Sequence, residues 1–61
     1  MEARTLSQLK RGELFLTTTS ELYVVDYHET DGKVMVRRYA DKYYCKLLKG
    51  STKGWLINKI Q

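Results

Sequence analysis

Apolar and polar residues alternate along most of this chain from residue 13 onward, with short polar breaks between the alternating segments. Alternation that is rich in β-branched and aromatic residues is typical of β-strands with one buried face. The pattern predicts strands at residues 13–18, 21–28, 33–40, 43–48 and 55–60, the last of which would also suit a helical turn.

A different pattern precedes these strands. Thr5 can cap a short helix and Gly12 can end it, while Leu6 and Leu9 are spaced to share one helix face. The sequence therefore predicts a mainly β fold, a small five-stranded barrel or curled meander with a short N-terminal helix. A chain of 61 residues has room for a single small core, so residues 1–61 are expected to form one domain.

The polar break at residues 29–32 allows two registers for the hairpin around it. A two-residue turn mixes apolar and charged residues on both faces, whereas a four-residue loop pairs Val25 with Val36 and Tyr27 with Val34. We prefer the four-residue loop because it separates a core face from a solvent face. The predicted buried residues are Tyr23, Val25, Tyr27, Val34, Val36 and Leu47, and the predicted exposed residues are Asp26, Lys33 and Arg37.

The next hairpin predicts an unusual outer surface. A two-residue turn at residues 41–42 places Arg37 opposite Lys46, and it places Tyr39 opposite Tyr44. The first pair carries like charges, which destabilise a sheet where they face each other. The second pair is aromatic, and folding does not require that it be exposed. The same register turns Cys45 inward, where it is expected to be buried and unreactive.

Charge is divided unequally along the chain. Residues 1–31 hold three basic and six acidic residues, a net charge of −3, and residues 32–61 hold eight basic residues and one acidic residue, a net charge of +7. A basic half interleaved with aromatic residues indicates a surface for a polyanion.

These features predict a non-enzymatic module that binds DNA or RNA through its third and fourth predicted strands. Lys33, Arg37 and Lys46 would contact phosphates, and Tyr39 and Tyr44 would stack on bases. In a plainer interpretation, the two tyrosines pack under the N-terminal helix and the cations only point into solvent. The alternative function is a protein-binding accessory or inhibitory factor that acts on a larger complex.

Other chemistry finds little support in the sequence. A zinc site usually needs four protein ligands, and the chain holds one histidine, His28, and one cysteine, Cys45. We expect no cofactor, no metal, no small-molecule substrate and no catalytic residue, and we expect Trp55 to plug the core or rim. One cysteine, no long apolar run and no secretory signal lead us to expect a cytoplasmic protein and no membrane partner.

Three segments carry a resemblance to a known class of folds. Residues 6–15 hold a leucine, basic residues, a glycine, an acid and an apolar strand, and residues 22–27 and 34–38 look like the next two strands. This arrangement resembles small SH3-like barrels, and the size is similar to that of short phage-encoded accessory proteins. The resemblance implies a barrel that binds DNA, RNA or protein. The chain lacks the acidic, aromatic groove of peptide-binding SH3 domains, so proline-rich ligands are not expected.

Overall fold

The structure is a computed structural model that describes residues 1–57. Six antiparallel strands form one sheet in the order β1-β6-β2-β3-β4-β5. The strands are β1 (Glu2–Thr5), β2 (Leu14–Thr17), β3 (Leu22–His28), β4 (Lys33–Arg38), β5 (Cys45–Lys49) and β6 (Lys53–Ile57). The predicted β class is confirmed, but the described residues hold six strands in place of five. Of the last predicted strand, residues 58–60 lie outside the described residues.

The additional strand is β1, which the sequence pattern did not predict. Its residues are mostly charged or small, and the segment has no apolar alternation. It becomes a strand because β6 offers it an edge, with Ala3 opposite Trp55 and Thr5 opposite Lys53. In the described chain, β1 and β5 are the two ends of the sheet and do not pair with each other.

The predicted N-terminal helix is a single 3-10 turn, Leu6–Gln8. Backbone N–H groups in this turn donate outside it, from Leu6 to the Thr52 carbonyl and from Ser7 to the Gly50 carbonyl, both at 2.8 Å. These bonds attach the turn to the β5–β6 connection, and Leu9 then continues in extended conformation, so the helix does not propagate. Leu6 and Leu9 are both buried.

The hydrophobic core lies on one face of the sheet, here called the inner face, and the turn at Leu6–Gln8 packs onto it. Gly54 lets β6 approach this core closely, because a Cβ there would lie 2.6 Å from the Phe15 ring. The core residues are Leu6, Leu9, Phe15, Tyr23, Val25, Val34 and Val36, with Leu48 and Leu56 packed against them.

The β3–β4 hairpin confirms one predicted pair and corrects another. Val25 lies opposite Val36 as predicted, but Tyr27 lies opposite Met35 and not Val34, because a β-bulge at Asp26 adds one residue to β3. The bulge turns Tyr27 onto the other face of the sheet, here called the outer face. The prediction that Tyr27 is buried is therefore wrong, since 46% of it is exposed.

The β4–β5 hairpin differs from prediction by one residue. Its ladder closes where the Arg38 N–H donates to the Tyr44 carbonyl at 2.9 Å, so the connection is longer than a two-residue turn. Arg37 lies opposite Cys45, and Lys46 lies opposite Val36. Since a slip of one residue exchanges the faces of a strand, the predictions that Cys45 and Leu47 are buried are wrong, and both are exposed on the outer face.

No helix in residues 1–57 is long and apolar enough to cross a membrane.

Candidate nucleic-acid interface

The structure separates the five residues that the sequence analysis selected. Lys33 begins β4 on the outer face, and Arg37 lies near the far end of the same strand and face. Lys46 belongs to the inner face, where it lies half-buried opposite the buried Val36. The predicted like-charge pair of Arg37 with Lys46 does not form. The predicted pair of Tyr39 with Tyr44 does not form either, because Arg38 lies opposite Tyr44. The two tyrosines are the first and last residues of the connection between β4 and β5.

This connection, residues 39–44, is here called the tyrosine loop. It is closed at its base by two backbone bonds, from Arg38 to the Tyr44 carbonyl at 2.9 Å and from Lys42 to the Arg38 carbonyl at 2.8 Å. Lys42 adopts a positive φ of 60°, which an L-residue seldom adopts outside tight turns. The Tyr39 N–H donates to the Leu22 carbonyl of β3 at 2.9 Å, so the loop is also attached to the sheet.

Asp41 organises the interior of the tyrosine loop. Its carboxylate accepts a bond from the Arg38 guanidinium at 2.9 Å and weaker ones from the backbone N–H groups of Tyr43 and Tyr44 at 3.3 and 3.4 Å. The Arg38 bond, helped by the backbone donors, lowers the pKa of the Asp41 carboxyl. The same bond raises the pKa of Arg38. The ionised carboxylate of Asp41 is therefore the form that makes these bonds within the loop.

The aromatic rings of the loop face solvent. Tyr43 is 92% exposed, Tyr44 45% and Tyr39 40%. The Arg38 guanidinium carbon lies 4.6 Å from the centre of the Tyr44 ring, and the Lys42 ammonium lies 6.0 Å from the centre of the Tyr39 ring. Each cation is close enough for a cation–π interaction, which leaves Tyr43 as the most open ring.

The cations around the loop fall into two groups. The Arg37 guanidinium makes two hydrogen bonds within the chain: Nε donates to the Asp26 carboxylate at 3.0 Å, and Nη1 donates to the Lys42 carbonyl at 3.3 Å. Arg38 is held by Asp41. Lys42 and Lys46 make no ion pair within the part of the chain that the structure describes. These two ammonium groups are therefore the ones available to an external anion.

Sequence reasoning missed three members of this cluster: Arg38, Lys42 and Tyr43. Arg38 and Tyr43 had no role in the sequence analysis, and Lys42 was placed only in the turn at residues 41–42. The signal that could have identified them is local density, because residues 37–46 hold four cations, three tyrosines and one carboxylate. The local density of charged and aromatic residues does not depend on strand register, whereas the predicted cross-strand pairs did.

The other side chains considered for a functional role in the sequence analysis are His28 and Trp55. His28 is exposed overall, yet its Nε2 donates to the Leu9 carbonyl at 2.7 Å and links β3 to the segment after the 3-10 turn. Trp55 lies half-buried on the outer face, opposite Leu16. Within residues 1–57, no three metal-ligating side chains come together.

Three comparisons were made, with family models, with curated proteins and with solved structures, and none gave a match.

Proposed function

We propose that the chain is a non-enzymatic module that binds single-stranded nucleic acid through the tyrosine loop, which includes Lys42, and through Lys46 just after it. The observation that carries the proposal is the exposure of Tyr43, Tyr44 and Tyr39 among the cations of residues 37–46. Tyr43 is 92% exposed and contributes nothing to the core, so its ring is open to contact with a ligand.

Each group has a defined role in this proposal. The exposed rings of Tyr43 and Tyr39 would stack on unpaired bases, which is a sequence-tolerant interaction. Lys42 and Lys46 would neutralise phosphates. Arg38 and Asp41 would fix the loop, so that its rings need little ordering when the strand binds. Arg37 and Lys33 are not central to this proposed site, because Arg37 is bonded to Asp26 and Lys33 lies at the other end of β4. A duplex would present no free base faces to the rings, so single strands are preferred.

The SH3-like resemblance stays part of the proposal and supports a binding role in general terms, since such barrels host several kinds of ligand. It does not select nucleic acid. That choice depends on the charge of residues 32–61 and on the pairing of rings with cations in the tyrosine loop.

The test is a fluorescence anisotropy titration of labelled poly-dT and poly-rU oligonucleotides, and of a duplex of the same length, at two salt concentrations. Changing Lys42 and Lys46 together to Ala should weaken binding and reduce the salt slope by about 1.4, the value for two phosphate contacts on a single strand. The matched control changes Lys10 and Arg11 to Ala, which removes the same charge from another exposed part of the chain.

Tyr43→Ala separates stacking from charge. It should cost on the order of 1–3 kcal/mol of binding free energy while leaving thermal unfolding unchanged, because the side chain is almost fully exposed. Equal losses in the Lys42/Lys46 variant and the Lys10/Arg11 control, or no saturable binding of any oligonucleotide near physiological salt, would refute the proposed function.

A further inference from the structure

The strand β5 ends the described sheet and has one open edge. Its ladder with β4 is fixed by bonds at two places, from Arg38 to the Tyr44 carbonyl and from Gly50 to the Gly32 carbonyl, each at 2.9 Å. Hydrogen-bonded pairs alternate along an antiparallel ladder, so Lys46 and Leu48 direct their backbone groups toward β4. The backbone groups of the intervening residues therefore point to the open edge.

The groups available at this edge are well defined. The N–H and C=O of Cys45 and Leu47 and the N–H of Lys49 face outward from the sheet. The Lys49 carbonyl is already used, because it accepts bonds from the Thr52 N–H at 3.0 Å and from the Thr52 hydroxyl at 2.6 Å. The edge thus presents a short template, to which an extended segment can add as a further strand.

An apolar stripe runs across the outer face to the same edge. Tyr27 lies opposite Met35, and Met35 lies opposite Leu47, so the three side chains are consecutive cross-strand neighbours. Tyr27 and Leu47 are 46% and 45% exposed. A strand added to β5 could extend the stripe with an apolar side chain beside Leu47 and cover surface that now faces water.

Two lysines that face each other lie next to the stripe. Lys33 is directly opposite Lys49, in a pair whose backbones do not hydrogen-bond and whose side chains are therefore close. Both are exposed, and neither forms an ion pair among residues 1–57. Like charges in this position destabilise the sheet, and a carboxylate beside Lys49 would relieve them.

We infer that the β5 edge binds an extended acidic segment of a partner protein as a seventh strand, with an apolar residue beside Leu47 and a carboxylate two residues away beside Lys49. A second copy of this chain fits less well. Its own β5 would add no carboxylate to the edge, and each chain brings a net charge of +4. This binding surface is separate from the tyrosine loop and does not depend on the proposed nucleic-acid function.

The experiment is an NMR titration of the whole chain with a capped hexapeptide, Thr-Glu-Val-Val-Glu-Thr, taken to millimolar concentration. The control peptide replaces both glutamates with lysine. We expect saturable shifts at the amides of Cys45, Leu47 and Lys49. We expect the lysine peptide to bind at least about fivefold more weakly, because the favourable charge pair at Lys49 becomes repulsive.

Two variants test the two parts of the surface. Leu47→Pro removes an N–H that faces the open edge and no bond to β4, so it should abolish binding while the chain stays folded. Lys33→Glu with Lys49→Glu should reverse the peptide preference, which a merely unfolded variant could not do. The control for charge is Lys10→Glu with Arg11→Glu, which should keep the original preference.

Several outcomes would overturn the inference. One is the absence of binding at millimolar peptide, and another is equal binding of both peptides. A third is a set of shifts centred on residues 42–44, which would mean simple attraction to the tyrosine loop. A fourth is a concentration-dependent dimer in sedimentation with protected Cys45 and Leu47 amides, which would make a second copy the occupant of the edge.

Discussion

The Arg38 guanidinium lies over the Tyr44 ring, 4.6 Å from its centre, while its Nη2 donates to Asp41 at 2.9 Å. One side chain thus joins the end of β4 to both the middle and the end of the tyrosine loop. Arg38→Lys keeps the charge but loses the planar group that satisfies both partners. We expect the Tyr43 and Tyr44 amides to exchange faster in this variant, while strand amides are unaffected.

Amide hydrogen exchange followed by NMR measures this effect, with Arg11→Lys as the matched control at an exposed position outside the loop. If loop exchange in Arg38→Lys matches that of the parent chain, Arg38 does not order the loop.

Asp41 gives the loop a pH dependence whose sign can be stated. Because the Arg38 bond lowers the pKa of Asp41 from its ordinary value of 3.8, the folded loop favours the carboxylate. Its contribution to stability is fully present above that ordinary value and is lost as pH falls through the lowered pKa. The Tyr43 and Tyr44 amide resonances should therefore shift below pH 3.8 in the parent chain. In Asp41→Asn they should show no such transition.

Local alternation was enough to predict much of the fold. The pairing of Val25 with Val36 follows from alternation on both sides of a turn, and so does the burial of Tyr23 and Val34. The strand β1 could not be predicted in this way. It forms through a distant partner, β6, and its own residues carry little strand signal.

The errors at the candidate site have a different cause. A bulge at Asp26 and a connection longer than two residues after β4 each change the register, and no glycine or asparagine marks either place. A single shift at each place moved Tyr27, Leu47 and Cys45 to the outer face. The sheet face that a side chain occupies was therefore less predictable than the position of the strands. The composition of the tyrosine loop was a better guide to the candidate site than the predicted cross-strand pairs.

Gly54 is required by packing. A Cβ at this position would lie 2.3 Å from the Leu16 carbonyl oxygen and 2.6 Å from the Phe15 ring, so β6 could not keep its place between β1 and β2. Gly54→Ala should lower the free energy of unfolding by about 1–3 kcal/mol, the usual range for overpacking. Urea denaturation measures this change, and Ser51→Ala is the exposed control in the preceding turn. Equal midpoints for the two variants would contradict the close approach of β6 to the core.

Cys45 provides the most direct test of the β4–β5 register. The side chain is exposed on the outer face, opposite Arg37. A thiol reagent should therefore label it in the native protein without prior unfolding, at a rate of the same order as in the unfolded chain. The matched control carries Cys45→Ser with Val36→Cys, which moves the single thiol to a buried position on the neighbouring strand. That thiol should react only through opening of the sheet, and its labelling rate should rise in denaturant.

If Cys45 itself needs denaturant to react, β5 is shifted by one residue. Leu47 would then face the core and Lys46 would lie beside Arg37, which would remove the apolar stripe and rearrange the cations around the tyrosine loop.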